Sequence, residues 1–249
     1  ILADDVAYVH FAPPCGTASK ARERRRFNKD GTPAPLDPKP LRSVAFPAGL
    51  PDLTQHDADR VRISNELYKF TVDAIVKLAE AGISWSVENP ANSYMWSTAS
   101  FSRLSDMLKA RGLSFKCVTF DMCMHGGERP KSTSFWVSDL LDLSSLAVKC
   151  DGKCVHKPWG LTQEAGFTFA TAAERNYPHL LCQRVAKLVA KAYDIKVVEK
   201  STQWDKASSR LQPKKRFPPL VAEYAKVETF TETRWITLDR GHRPFPGVF

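Results

Sequence analysis

Residues Phe11 to Arg26 read FAPPCGTASKARERRR: a cysteine behind two prolines, a small polar turn, then a dense basic run. A thiol attacks carbon only as the thiolate, and with a reference pKa of about 8.5 it needs a nearby positive charge or a helix N-terminus to ionise near neutrality. This stretch offers both, because Gly16-Thr17 can open a helix whose first turns carry Lys20, Arg22 and Arg24. The other reading of Cys15 is a packing thiol in front of a solvated charged helix. A second stretch, Ser86-Val87-Glu88-Asn89-Pro90, sets a carboxyl behind Trp85 and Val87. Apolar surroundings penalise a carboxylate, so Glu88 is expected to hold a proton near neutrality. A thiolate and a protonated acid together suit addition to an electron-poor ring, the sulfur attacking a carbon while the acid protonates a ring nitrogen. Equally, a Glu-Asn-Pro turn can simply cap the next helix. A third stretch, KCDGKCVHKPWG from Lys149 to Gly160, brings Cys150, Cys154 and His156 close together in sequence. With Cys182 or His179 from a later helix, these soft ligands make a tetrahedral zinc site; the alternative is free thiols and a histidine packed beside Trp159. Cys117, Cys123 and His125 read as structural, with His125 bordering the pocket ahead of Gly126-Gly127.

The elements that must position these groups alternate in type. Val6 to Phe11 is a short β-branched and aromatic run ended by Pro13-Pro14, which reads as a buried strand delivering Cys15 to a loop. A chain that opens on a buried strand is expected to have lost something upstream or to be cut from a longer one. Residues 28–51 are rich in Pro and Gly and read as a long irregular loop. From about Asp57 to Ala81, Val61, Leu67, Tyr68, Val72, Ile75, Val76 and Ala79 recur at helical spacing, and Gly82 closes the helix. A strand over Ile83–Val87, a helix over about 101–110, and strands over Phe115–Phe120 and Ser134–Val137 follow. A helix over about 178–193 carries Leu181, Val185, Leu188, Val189 and Ala192 on one face. This order predicts an α/β sheet, with functional residues at the carboxyl ends of its strands. Residues 1–196 read as a catalytic domain holding a small insert at about 138–168, and 197–249 as a basic, extended tail ending in an aromatic hairpin.

Composition narrows the partners. In 249 residues there are 36 Lys+Arg against 27 Asp+Glu, a formal charge of +9 with the excess at Lys20–Arg26 and Lys206–Arg216. Positive charge clustered in this way favours a polyanion such as DNA or RNA, although a basic run also serves as a solvated face. Six cysteines are too few for a disulfide scaffold, so each is filler, ligand or nucleophile. No apolar run approaches the roughly 18 residues that span a bilayer and no signal peptide is evident, so the chain reads as intracellular and without a membrane partner. Pro213-Lys214-Lys215-Arg216 points to the nucleus if the source is eukaryotic.

Pro13-Pro14-Cys15-Gly16-Thr17 resembles the Pro-Pro-Cys nucleophile loop of the DNA cytosine-5 methyltransferases, and Glu88-Asn89-Pro90 resembles their Glu-Asn-Val motif, in the same order. Gly126-Gly127-Glu128-Arg129-Pro130-Lys131 is similar to the Gln-x-Arg-x-Arg element of that family, and Asn176-Tyr177-Pro178 to its last Asn-containing motif. The resemblance implies a Rossmann-like methyltransferase sheet, S-adenosylmethionine as donor, and a flipped cytosine attacked at C6 by Cys15 while Glu88 serves N3. It implies further that Arg129 and Lys131 contact the base carbonyl and phosphates, and that Pro14, Ser19, Asn89 and Pro90 line the nucleotide. Lys20, Arg22 and Arg24 would lie on the backbone, and Pro13 and Asn176 would border the donor. RNA cytosine methylation, or nucleic-acid binding without methylation, are the alternatives. The chain departs from the pattern at Gly16, Pro90 and Lys131, where the family has Gln, Val and Arg, and it contains no Phe-x-Gly-x-Gly donor loop. The interval where the family inserts its recognition domain is only a few tens of residues, so sequence selectivity is expected to be low.

Overall fold

The computed structural model describes residues 6–24, 30–32, 37–162, 168–169, 171 and 174–194. The expected tail and its hairpin, the Lys206–Arg216 cluster and the 213–216 signal lie outside them, as do Arg25 and Arg26. The chain divides after Asn176 into two compact units.

The first unit is α/β. Its strands β1 (Tyr8–Phe11), β2 (Ser84–Pro90), β3 (Phe115–Asp121) and β4 (Ser132–Ser138) form a mixed sheet in the order β1-β2-β4-β3. β1 runs parallel to β2, whereas β4 lies antiparallel to both β2 and β3. The carboxyl ends of β1, β2 and β3 and the amino end of β4 therefore share one edge. Cys15, Glu88 and Lys131 all belong to that edge. β1 is an edge strand among the described residues and only half-buried, where the apolar run predicted a buried one. A two-residue pair, β5 (Leu161–Thr162) and β6 (Thr168–Phe169), is separate from this sheet.

Two helices connect the parallel strands. Helix α1 (Gln55–Glu80) begins where the Thr54 hydroxyl accepts from the Asp57 amide, and it ends at Gly82, whose φ of 69° suits a residue without Cβ. Its buried face carries Val61, Tyr68, Val72, Ile75, Val76 and Ala79, as the 3.6-residue period predicts, with Leu67 at the margin. Helix α2 (Ala99–Lys109) adds Phe101, Leu104 and Leu108 to the same core, which Trp85 and Val87 meet from β2. Trp96, Trp136 and Phe115 stack at its border, with ring centroids 4.5 and 4.8 Å apart. Because side chains alternate across a strand, Ser84, Ser86 and Glu88 face the opposite side of β2. The long loop before α1 is irregular where it is described, but it is not loose, since Leu41 and Arg42 are buried.

In the second unit, helix α3 (His179–Ala192) buries Leu181 and Ala190. Val185, Leu188 and Val189 are half-buried, while Ala192 is exposed. No described helix is long and apolar enough to cross a membrane.

Polar links on the second face tie β1 to β2. The Ser86 hydroxyl lies 2.5 Å from the Tyr8 hydroxyl and 2.7 Å from His10 Nδ1, and the His10 ring packs 5.2 Å from that of Phe135. Desolvation pulls the His10 imidazole down to about 4. Below about pH 6.5 the unfolded chain takes up a proton that folded His10 refuses, so stability falls from there towards pH 4, by at most about 1.4 kcal/mol per pH unit from this group. Urea midpoints measured across that range should fall more gently for His10→Gln than for the parent; equal slopes would contradict the assignment.

Candidate functional site

The prolines give the loop its course. Lacking N–H donors, Pro13 and Pro14 cannot continue the ladder after Phe11, and the chain leaves the sheet. It then turns on Cys15, whose carbonyl accepts from the Ala18 and Ser19 amides at 2.9 and 2.8 Å. Groups distant in sequence take up the loop's own acceptors. Asn89 Nδ2 donates to the Pro13 carbonyl and the Tyr68 hydroxyl to that of Pro14, both at 2.9 Å, and the Tyr94 amide donates to the Ala18 carbonyl at 2.9 Å. Arg42 Nη2 donates to Thr17 Oγ1 at 3.0 Å, with its guanidinium 5.4 Å from the centre of the Tyr68 ring. The helix expected at Gly16-Thr17 is thus a turn, followed by a single 3-10 turn over Lys20–Glu23 that Ser19 caps by accepting from the Ala21 amide.

Glu88, Asn89 and Pro90 are the last three residues of β2, and all three are buried. Capping of the next turn falls to Ser93, which accepts from the Met95 amide at 3.2 Å, so Glu88 is spared that task. Antiparallel pairing brings the start of β4 alongside: Ala91 donates to the Ser132 carbonyl at 3.0 Å, and Lys131 Nζ stands 3.5 Å from Glu88 Oε1. The isolated buried carboxyl expected from the sequence therefore has an ammonium for a neighbour.

Desolvation raises the Cys15 thiol above its ordinary value. Lys131 opposes this, Glu88 adds to it, and Arg175 opposes it more weakly. The cations that act on the thiol are therefore Lys131 and Arg175, not the basic run. Within that run, Lys20 Nζ sits 5.1 Å over the Tyr94 ring, and Arg22 donates to the carbonyls of Lys39 at 2.8 Å and Gly16 at 3.3 Å. Arg24 is exposed. Arg129 is 3% exposed, with Nη1 donating to Glu174 Oε1 at 2.9 Å and Nε to the Pro158 carbonyl at 3.0 Å. Its guanidinium is engaged within the fold, and Lys131 is the cation that reaches Glu88. Pro13 is buried, its carbonyl taken by Asn89, and Asn176 is exposed.

The cysteine-histidine stretch forms a second constellation. Ligand atoms of Cys123, Cys150, Cys154 and His156 all lie within 4.8 Å of one another, a group able to hold a metal ion such as zinc. The fourth member is Cys123, in the 3-10 turn Met122–His125 after β3, in place of the expected Cys182, which lies on α3 in the second unit. Burial, with Cys150, Cys154 and Asp121 nearby, pushes the Cys123 thiol up to about 12. His125 is structural as expected: it is fully buried, with Nε2 3.0 Å from the Leu146 carbonyl and its ring edge-on to Phe120.

Nothing in the sequence singles out Arg42 or Arg175, and Cys123 reads there as structural although the fold puts it among the metal-binding side chains. No local pattern marks them, because each acquires its role from residues far away in the chain. Comparison with protein-family models, curated proteins and solved structures found no match to this chain.

The alkylation rate of Cys15 by iodoacetamide, followed by mass spectrometry, should rise with pH through an inflection above that of a free cysteine. Lys131→Gln removes a charge that favours the thiolate and should move the inflection up; Glu88→Gln should move it down. Shifts in the reverse sense would refute this electrostatic assignment.

Proposed function

We propose that this chain carries the base-attacking half of a cytosine-5 methylation site acting on DNA. The observation that carries the reading is the meeting of Cys15 and Glu88 at adjacent carboxyl ends of the parallel strands β1 and β2, with Lys131 beside the carboxyl. Ligands of α/β sheets bind at such ends, and three of the four motifs that resemble the methyltransferases, those of Cys15, Glu88 and Lys131, are gathered there. A Rossmann-like origin of the sheet belongs to the same proposal, as does a polyanionic partner for the chain's formal charge of +9.

In the proposed step the Cys15 thiol gives up its proton to water and the thiolate forms a bond to C6 of a cytosine turned out of its stack. The C5=C6 electrons move to C4–C5, those of C4=N3 move onto N3, and N3 takes a proton from the Glu88 carboxyl, which gains that proton from water when the bound base shields it from solvent. Cys15 becomes a thioether, Glu88 a carboxylate, and C5 an enamine carbon ready to accept an electrophile. The ammonium of Lys131 is placed to stabilise the carboxylate as it forms. S-adenosylmethionine is the methyl donor that the resemblance implies. Its assigned contacts do not make a donor pocket, since the Pro13 carbonyl is already occupied by Asn89 and Asn176 projects from the surface. The chemistry assigned to these residues therefore ends at the activated base.

A second reading, nucleic-acid binding without methylation, is favoured by the raised thiol and by the pairing of Arg129 with Glu174. RNA is the other substrate the same thiol addition would serve.

Addition to C6 makes C5 exchange its hydrogen with water, which needs no methyl donor. DNA carrying tritium at cytosine C5 should release it with the parent protein, release none above background with Cys15→Ala, and release it about 10²–10⁴-fold more slowly with Glu88→Gln. Salt-sensitive binding without release would select the second reading, and release with RNA alone would reassign the substrate.

A further inference from the structure

We propose that Cys123, Cys150, Cys154 and His156 bind one zinc ion as a closed tetrahedral site, and that the ion fixes the loop on which Arg129 rests. Three thiolates and an imidazole are a borderline-soft donor set that suits zinc over the oxygen-seeking divalent ions. Zn–S bonds of about 2.3 Å and a Zn–N bond of about 2.0–2.1 Å at tetrahedral angles put ligand atoms about 3.6–3.8 Å apart. Cys150 Sγ and His156 Nε2 stand 3.6 Å apart, and no pair in the group exceeds 4.8 Å. With four protein ligands no coordination position stays open, so the ion's task is structural.

The surroundings are those of a built site. The Gly152 amide points at Cys150 Sγ from 3.4 Å, an approach made from a φ of 81° that glycine adopts without strain. Asp121, the last residue of β3, accepts from the Cys150 amide through Oδ2 at 2.9 Å and donates its own amide to the Val148 carbonyl at 3.0 Å. These bonds bring the insert to the 3-10 turn that bears Cys123, and they orient the ligand-bearing backbone in the manner of outer-shell partners. Apolar packing does not hold the segment: Val155, between Cys154 and His156, is 101% exposed. A segment this short without its own core is where a metal ion replaces one.

The three residues after His156 then secure Arg129. The Lys157 amide donates to the Glu128 carbonyl at 3.0 Å, the Pro158 carbonyl accepts from Arg129 Nε at 3.0 Å, and the Trp159 ring lies 5.7 Å under the guanidinium. Arg129 is two residues from Lys131, so the ion acts as a positioning device at the edge that holds Glu88. The metal site itself does not depend on the methylation reading.

The 249-residue chain purified under reducing conditions and loaded with zinc should hold about one ion per chain by elemental analysis, and Cys123→Ser and His156→Ala should fall below ~0.2. Cys182→Ser and Cys117→Ser should keep the full complement. Full zinc in Cys123→Ser, its loss in Cys182→Ser, or less than ~0.2 in the parent overturns the site. Should Cys123→Ser not fold, the cobalt(II)-loaded parent decides, because its sulfur-to-metal charge-transfer intensity must correspond to three thiolates; two or four contradict the assignment. For the positioning role, chelation should free the loop backbone so that trypsin cuts after Lys153, whose side chain already projects into solvent, at least about tenfold faster. An unchanged cleavage rate overturns that role.

Discussion

A buried carbonyl must find a donor, and the Pro13 carbonyl finds one in the side chain of Asn89. That bond joins the end of β1 to the end of β2 just beyond their last paired residues, Phe11 and Val87. Much follows from it. Proline cannot pair the loop to the sheet, so the loop is held by side chains: Asn89 from β2, Tyr68 from α1 and Arg42 from the preceding loop. Alternation then puts Glu88 on the face of β2 opposite Asn89. One residue thus anchors the cysteine loop, and its neighbour presents a carboxyl.

The electrostatics of this edge are a contest between burial and charge. Desolvation acts against the Cys15 thiolate, and among the neighbouring charges Lys131 acts most strongly for it. Lys131 serves both groups because β4 runs antiparallel and starts where β2 ends. A parallel β4 would place its first residues at the far edge. The reversed strand is therefore what brings a cation to the thiol and the carboxyl together.

The parts of this arrangement readable from sequence are the local ones. Helix α1 announces itself by its apolar period, the Thr54 cap and Gly82, and the motifs around Cys15 and Glu88 stand at strand ends as their flanking prolines predict. Strand order was not legible, because pairing of β4 between β2 and β3 is a non-local choice that hydrophobic runs do not encode. The same limit hid the partners of the charges. The basic run after Cys15 looked like the thiol's source of positive charge, yet Arg22 bonds to carbonyls and Lys20 covers a ring. Arg129 looked free to meet a ligand, but Glu174, 45 residues later, holds it. Cys123 read as structural for want of a nearby ligand, and only the fold brings it to Cys150, Cys154 and His156.

In the proposed function Cys15 is the nucleophile toward a base. The most direct test of that role is peptide mapping, by mass spectrometry, of protein incubated with a duplex in which 2-pyrimidinone replaces cytosine. Without the 4-amino group the ring is poorer in electrons at C6, so a thiol adduct persists with no methyl donor present. A single adduct is expected on the peptide bearing Cys15, absent in Cys15→Ser. An adduct on any other residue, or none with a duplex that the protein demonstrably binds, would contradict it.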